Sequence, residues 1–143
     1  MSKGTASVGT DEQMWSHVVK GFEQVFGTSG DDRFVGNKHH NTLNGGAGDD
    51  WFRSGLGADK LVGGEGADTF VFVRKDVTDK SVDWITDFEV GVDMLDFSDF
   101  ASVRAVDVDG DTVVQGLVKG AYQDVVRLDN VLIDAGPLDD LLV

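Results

Sequence analysis

Five side chains with a ligating oxygen recur at nine-residue intervals: Asp32, Asn41, Asp50, Asp59 and Asp68. Each sits sixth in a unit whose first, second and fourth places favour glycine. In register, residues 27–71 read GTSGDDRFV, GNKHHNTLN, GGAGDDWFR, SGLGADKLV and GGEGADTFV. The frame is Gly-Gly-x-Gly-x-Asp-x-U-x, where U is a large apolar residue. The glycines Gly30, Gly46, Gly48, Gly55, Gly57, Gly64 and Gly66 allow backbone conformations that a Cβ forbids and let main-chain carbonyls face inward. The aspartates add carboxylate oxygens. A hard cation that takes about six to eight oxygens from carboxylates and carbonyls is calcium, whereas magnesium demands a stricter octahedron and keeps its waters. The chain has no cysteine and three histidines, so soft-metal chemistry lacks its usual ligands.

Such ligands need elements that hold them in line. The last three residues of each unit suit a short strand whose middle side chain points opposite to its neighbours. Those middle residues are Phe34, Leu43, Phe52, Leu61 and Phe70, and the spacing predicts that they stack inward into one narrow core. A single unit cannot bury such a residue, but a stack of units can. A Gly-Gly-x-Gly run could also belong to a linker or a phosphate-binding loop. A linker would not carry an apolar residue every ninth position, and the Gly-Lys-Ser/Thr of a phosphate-binding loop is missing.

Residues 27–71 resemble the RTX (repeats-in-toxin) family, whose nonapeptide is the signature of a calcium-loaded parallel β-helix. The resemblance implies an all-β fold: a right-handed parallel β-roll of nonapeptide repeats, capped by a short N-terminal segment and a C-terminal antiparallel β region. Two units would make one coil, with turns on alternating edges. Asp32, Asp50 and Asp68 would line one edge, and Asn41 and Asp59 the other. Calcium would sit between successive turns of one edge, giving roughly three or more ions with partial sites at the ends. The second unit departs from the frame at Asn37, His39 and Asn41. An amide oxygen ligates without formal charge, so the Asn41–Asp59 edge is expected to bind more weakly.

The chain of 143 residues has 26 acidic and 12 basic side chains, a net charge of −14. Residues 72–143 alone carry 16 acidic and 6 basic side chains. Such a surface repels nucleic acid and anionic membrane and resists compaction until cations neutralise it. No apolar run suits membrane insertion, and the opening MSKGTASVGTDEQ lacks the apolar segment of a secretory signal. Extracellular calcium modules bind at about 10⁻⁴–10⁻³ M, far above cytosolic calcium. The repeats hold few large apolar residues to offset chain entropy, so the roll is expected to fold outside the cell.

The expected organisation is an N-terminal cap over 1–26, the roll over 27–71 and a C-terminal β cap over 72–143. Met14, Trp15, Val18, Val19 and Phe22 follow a helical period, with Thr10 and Gln13 placed as a capping box; Phe22 to Phe26 reads as a strand. Asp83 to Phe88 and Gly91 to Ser98 resemble the C-terminal flank of RTX domains in secreted metalloproteases, lipases and alginate epimerase R-modules. There it packs as antiparallel strands, which implies core roles for Ile85, Phe88, Leu95 and Phe97. Asp83, Asp87 and Asp93 would then either close a further calcium site or be solvated strand ends. Asp107 to Asp111 fails as an EF-hand loop, because Thr112 and Val118 stand where glycine and an acid are needed. Asp109-Gly110 is a hairpin turn instead, followed by short strands at Gln123–Leu128 and Val131–Ile133. The ending from Pro137 to Val143 resembles the C-terminal signal of type I exporters. With the repeats, it implies an extracellular protein of a Gram-negative bacterium, whose partners are calcium and the export apparatus.

No catalytic constellation is found. There is no HExxH zinc motif and no Gly-x-Ser-x-Gly elbow, and His39 and His40 fall in an irregular turn. The chain is read as a non-enzymatic module. One surface feature invites a ligand: Arg33, Trp51 and Arg53 are expected on one outer sheet face, where a Trp flanked by arginines suits an acidic sugar. The alternative function is thus an accessory module for an alginate-like polysaccharide, opposed by the net charge.

Overall fold

The computed structural model describes residues 5–7, 15–18, 23–77, 80–132, 138 and 142. Its strands are β1 (Thr5–Ser7), β2 (Trp15–Val18), β3 (Gln24–Phe26), β4 (Asp32–Val35), β5 (Thr42–Ala47), β6 (Trp51–Arg53), β7 (Lys60–Glu65) and β8 (Thr69–Val71). Then follow β9 (Asp83–Ile85), β10 (Met94–Asp96), β11 (Val103–Val108), β12 (Asp111–Val118) and β13 (Ala121–Leu128). Alternate strands go to opposite sheets. One sheet runs β1-β3-β5-β7-β9-β13-β12-β11 and the other β10-β8-β6-β4-β2. Two nonapeptides therefore make one coil of a β-roll, and pairing partners lie eighteen residues apart, as in Phe34 with Phe52 and Leu43 with Leu61.

This register stacks like on like. The rings of Phe34, Phe52 and Phe70 lie 4.9 Å apart and within 13° of parallel, the spacing of neighbouring strands. Val25, Leu43, Leu61, Ile85 and Leu128 form the facing ladder from the other sheet, all buried. All five repeat apolar residues are at most 1% exposed. The core is thus a file two side chains wide.

Two sequence expectations are corrected. The segment expected to begin as a helix contains β2, which pairs parallel with β4 through Trp15–Asp32 to Val18–Val35. A four-residue apolar pattern does not separate helix from strand, and the open edge of β4 offers backbone partners that a helix would leave unpaired. Thr10, Gln13, Met14, Val19 and Phe22 lie outside the described residues. The second correction concerns Asp83 to Ser98, expected as antiparallel cover. β9 pairs parallel with β7, and β10 parallel with β8. The roll thus gains another coil without the glycine frame, because Ile85 and Leu95 continue the two apolar files. Phe88 and Phe97 are buried beside them.

Antiparallel pairing starts at β11. The Asp109-Gly110 turn joins β11 to β12, and β13 returns to pair parallel with β9. Val131 follows β13 outside any strand, its carbonyl accepting a 2.6 Å bond from the Thr112 hydroxyl. Of the ending, Leu138 and Leu142 pack against the core, with Leu142 bridged to Leu95. The other residues of the expected export signal lie outside the described set, as does Ile133.

Candidate metal centre

The turns place the repeat carboxylates in two files, one on each edge of the roll. On the first edge the Asp32 N–H donates to Asp50 Oδ1 (2.6 Å), the Asp50 N–H to Asp68 Oδ1 (2.9 Å) and the Asp68 N–H to Asp93 Oδ1 (3.0 Å). Asp50, Asp68 and Asp93 therefore each hold the coil before them through one oxygen. The second oxygen differs along the file. At the ends Oδ2 is met by protein: Asp32 Oδ2 accepts from the Thr28 N–H (2.6 Å) and hydroxyl (3.0 Å), and Asp93 Oδ2 from the Glu89 N–H (2.8 Å), while the buried Asp32 Oδ1 accepts no hydrogen bond. In the middle, the buried Oδ2 atoms of Asp50 and Asp68 have no hydrogen-bond partner.

A buried carboxylate oxygen without a donor is costly, and its protonation shows it. The Asp50 carboxyl is pushed up to about 7, first by burial and then by Asp68 and Asp32. Asp68 is raised to about 6, by burial and then by Asp93 and Asp87, and burial raises Asp93 as well.

Glycines clear the space around them. A Cβ on Gly45 would fall 1.9 Å from Asp50 Oδ2, and one on Gly63 2.1 Å from Asp68 Oδ2. At Gly46 (φ +108°) it would meet the Thr28 carbonyl oxygen at 2.3 Å, and at Gly64 (φ +104°) the Gly46 carbonyl oxygen at 2.1 Å. Gly48 and Gly66 approach Gly30 and Gly48 of the preceding coil in the same way. Carbonyls thus line the turn from coil to coil beside the carboxylates. Gly30 is the exception, with φ outside the left-handed region and open space about its Cα. Among the described residues no three acidic or histidine side chains converge on one point, so a cation here must take backbone carbonyls as well. The donor set is all oxygen, mixed and anionic, which fits calcium.

The second edge also buries one oxygen that accepts no hydrogen bond, Asp59 Oδ2, but protein donors close more of it. The Asn41 N–H donates to Asp59 Oδ1 (2.6 Å), and the Asp59 N–H to Asp83 Oδ1 (3.0 Å). Asp83 Oδ2 takes a 2.6 Å bond from the Ser54 hydroxyl. Asn37 accepts from the His39 N–H (2.8 Å), Asn41 Oδ1 accepts from the Asn37 N–H (3.2 Å), and His40 Nδ1 lies 2.9 Å from the Ala58 carbonyl. Gly55 and Gly57 still bring their backbones against Asn37 and His39.

The profile of the Peptidase M10 serralysin C-terminal family matches residues 15–140. The chain belongs to that family. This serralysin C-terminal module is an RTX-type β-roll, and it is also similar to the AlgE6R3 subunit of the Azotobacter vinelandii mannuronan C5-epimerase, solved in solution. The two are 29% identical with a TM-score of 0.65, over 84% of this chain and 76% of that one. No curated protein sequence matches.

Within the module, Asp83, Asp87 and Asp93 do not form one site, contrary to the closing of a single further centre. Asp83 extends the second edge. Asp87 accepts from the Gly63 and Gly64 N–H groups, both at 3.0 Å, beside Asp93 on the first. Even the flank keeps the alternation of edges, because it keeps the alternation of sheets. On the outer face, the Arg33 guanidinium lies 3.5 Å from the centroid of the Trp51 ring, while Arg53 is bound to Asp76 at 3.0 Å. The sequence reading passed over Ser54, Thr28 and Glu89. Ser54 carried a signal, since it replaces the first glycine of its unit.

Proposed function

We propose that the chain is a calcium-binding module whose roll is completed by the ion. The observation that carries this reading is the pair of buried, donorless Oδ2 atoms of Asp50 and Asp68, in a cradle of backbone carbonyls that glycines hold open. Asp50 and Asp68 would be the principal ligands, with Asp32, Gly46, Gly48, Gly64 and Gly66 completing the first edge. Asn41, Asp59, Gly55 and Gly57 would offer a weaker second edge. Bound calcium supplies the positive charge that the carboxylates lack, and an ion held only by the folded state stabilises it in proportion to the logarithm of its concentration. Folding would then follow export into a calcium-rich extracellular medium, through a type I apparatus of a Gram-negative bacterium. Membership of a family defined on the C-terminal part of serralysins supports an accessory role.

Far-UV circular dichroism during a calcium titration from chelator to about 10 mM, spanning extracellular-type affinities, tests the reading, with magnesium as control. A cooperative gain of β-structure with calcium alone supports it; full structure in chelator overturns it. Deleting Leu138–Val143 should block export while leaving calcium-induced folding in place. The Arg33–Trp51 stack and the likeness to an epimerase subunit favour polysaccharide binding as the second reading. The Arg53–Asp76 pair weakens it. Trp fluorescence on adding oligouronate to the calcium form decides between them.

A further inference from the structure

Two lysines occupy backbone positions that lysine fills poorly. Among the described residues, four non-glycine residues have positive φ: Lys80 (61°), Asp109 (55°), Lys119 (50°) and Asn130 (55°). Aspartate and asparagine enter this region readily, because their short side chains bond the local backbone. Asp109-Gly110 and Lys119-Gly120 are equivalent hairpin turns, one before β12 and one after it, and such turns favour Asn or Asp before Gly. Lysine has neither advantage. Strained backbone of this kind gathers at ligand clamps, and both lysines line the same cleft.

That cleft has a volume of about 400 Å³ and also receives Arg74 and Lys75, from the 3-10 turn after β8. It gathers four of the six basic side chains of residues 72–143, in a chain of net charge −14. Val77 and Val118, both nearly buried, form its floor. Asp99 is the one carboxylate among the described lining residues. It is bound to Arg74 through the backbone N–H (2.9 Å) and the guanidinium (3.5 Å). Asp76, next to Lys75, is taken up by Arg53. Lys75, Lys80 and Lys119 form no ion pair with any described residue. None of the carboxylate-file residues lines the cleft.

We propose that this cleft binds a small, multiply charged oxyanion, its phosphate, sulfate or carboxylate oxygens held by Arg74, Lys75, Lys80 and Lys119 and its carbon skeleton lying on Val77 and Val118. Arg74, in contact with Asp99, supplies a planar fork of donors, and the lysines act as point charges around it. The volume suits a compact ligand.

The test is calorimetry and amide NMR on the full chain at fixed, buffered free calcium. The probes are inorganic sulfate, phenyl phosphate and benzene-1,3,5-tricarboxylate, which separate the three sources of oxyanion. Saturable shifts at Lys75, Lys80, Lys119 and Gln123 are expected, strongest for the trianion and lost at about 1 M sodium chloride, where the screening length falls to about 3 Å. Lys119→Asn keeps a favoured turn sequence, so it should fold at least as stably as the parent. It should nevertheless bind about three- to tenfold more weakly, the scale of one charge at about 4 Å in a water-like dielectric. Lys80→Gly should do the same. Absence of saturable shifts, shifts confined to other residues, or unchanged affinity in both variants would overturn the proposal.

Discussion

The two edges of the roll share one coil geometry and close it by different chemistry. On the first edge, Asp50 and Asp68 bury an oxygen that no donor meets, and their carboxyls are pushed toward neutrality. On the second, Ser54 stands where glycine begins other units and gives its hydroxyl to Asp83, while Asn37 and His40 tie the turn above to itself and to Ala58. A tight turn in a β-roll thus has two solutions: leave room for a cation, or fill the room with a donor. The first makes stability depend strongly on the medium, and the second weakly.

The largest effect is expected where the cation space is filled by carbon. Gly45→Ala places a Cβ against Asp50 Oδ2 and 2.5 Å from the Gly63 carbonyl oxygen. It should cost about 3 kcal/mol or more in urea unfolding of the calcium form, with Gly30→Ala nearly silent in the same assay. Next, Asp50→Ala should raise the calcium midpoint of folding about tenfold or more, the scale of damaged metal shells, while Asn41→Ala moves it little. Equal shifts would erase the distinction between the edges.

Ser54→Ala strands a buried acceptor on Asp83, and the loss should be about 1–3 kcal/mol, measured by thermal unfolding at saturating calcium. Ser54→Gly sharpens the comparison. It restores the repeat frame, so its deficit in low calcium should shrink as calcium rises, if the second edge then takes an ion.

The smallest effect is on pH. The folded carboxyls of Asp50 and Asp68 lie above their ordinary 3.8, so the folded, metal-free chain binds more protons than the unfolded one. The stability these two groups contribute is complete below about 4 and is lost as pH rises through about 6 to 7. In chelator, acidification from pH 7 to 5 should therefore increase β-structure by circular dichroism. At limiting calcium the slope should reverse, because protons then displace the ion. A single slope in both media would mean that these carboxylates do not meet calcium.

Much of the roll was legible because its signals are local and repeat. Phe34 and Phe52 are each set by a nine-residue frame, and their stacking follows from identical units meeting in register. The resemblance to the RTX family implied that Asp32, Asp50 and Asp68 share one edge, and the structure shows the reason: two strands per coil send alternate turns to opposite sides. Where the frame lapses, so did the reading. β2 was hidden because its strand character comes from the free edge of β4 and not from its own residues. β9 and β10 read as cover because the RTX flank that they resemble implied antiparallel packing, yet Ile85 and Leu95 find the two apolar files that the repeats began.

The sequence by itself determined the inward apolar file and the all-oxygen character of the candidate ligands, which follow from residue type at fixed spacing, and through its resemblance to the RTX family it implied the roll and the alternation of edges. Only the tertiary structure decided which carboxylate oxygens lack a donor, that Ser54 reaches Asp83 across 29 residues, and that basic side chains scattered from Arg74 to Lys119 line one cleft. Those facts depend on which coil lies beside which turn. Such proximity is a property of the packed chain, and the order of residues does not display it.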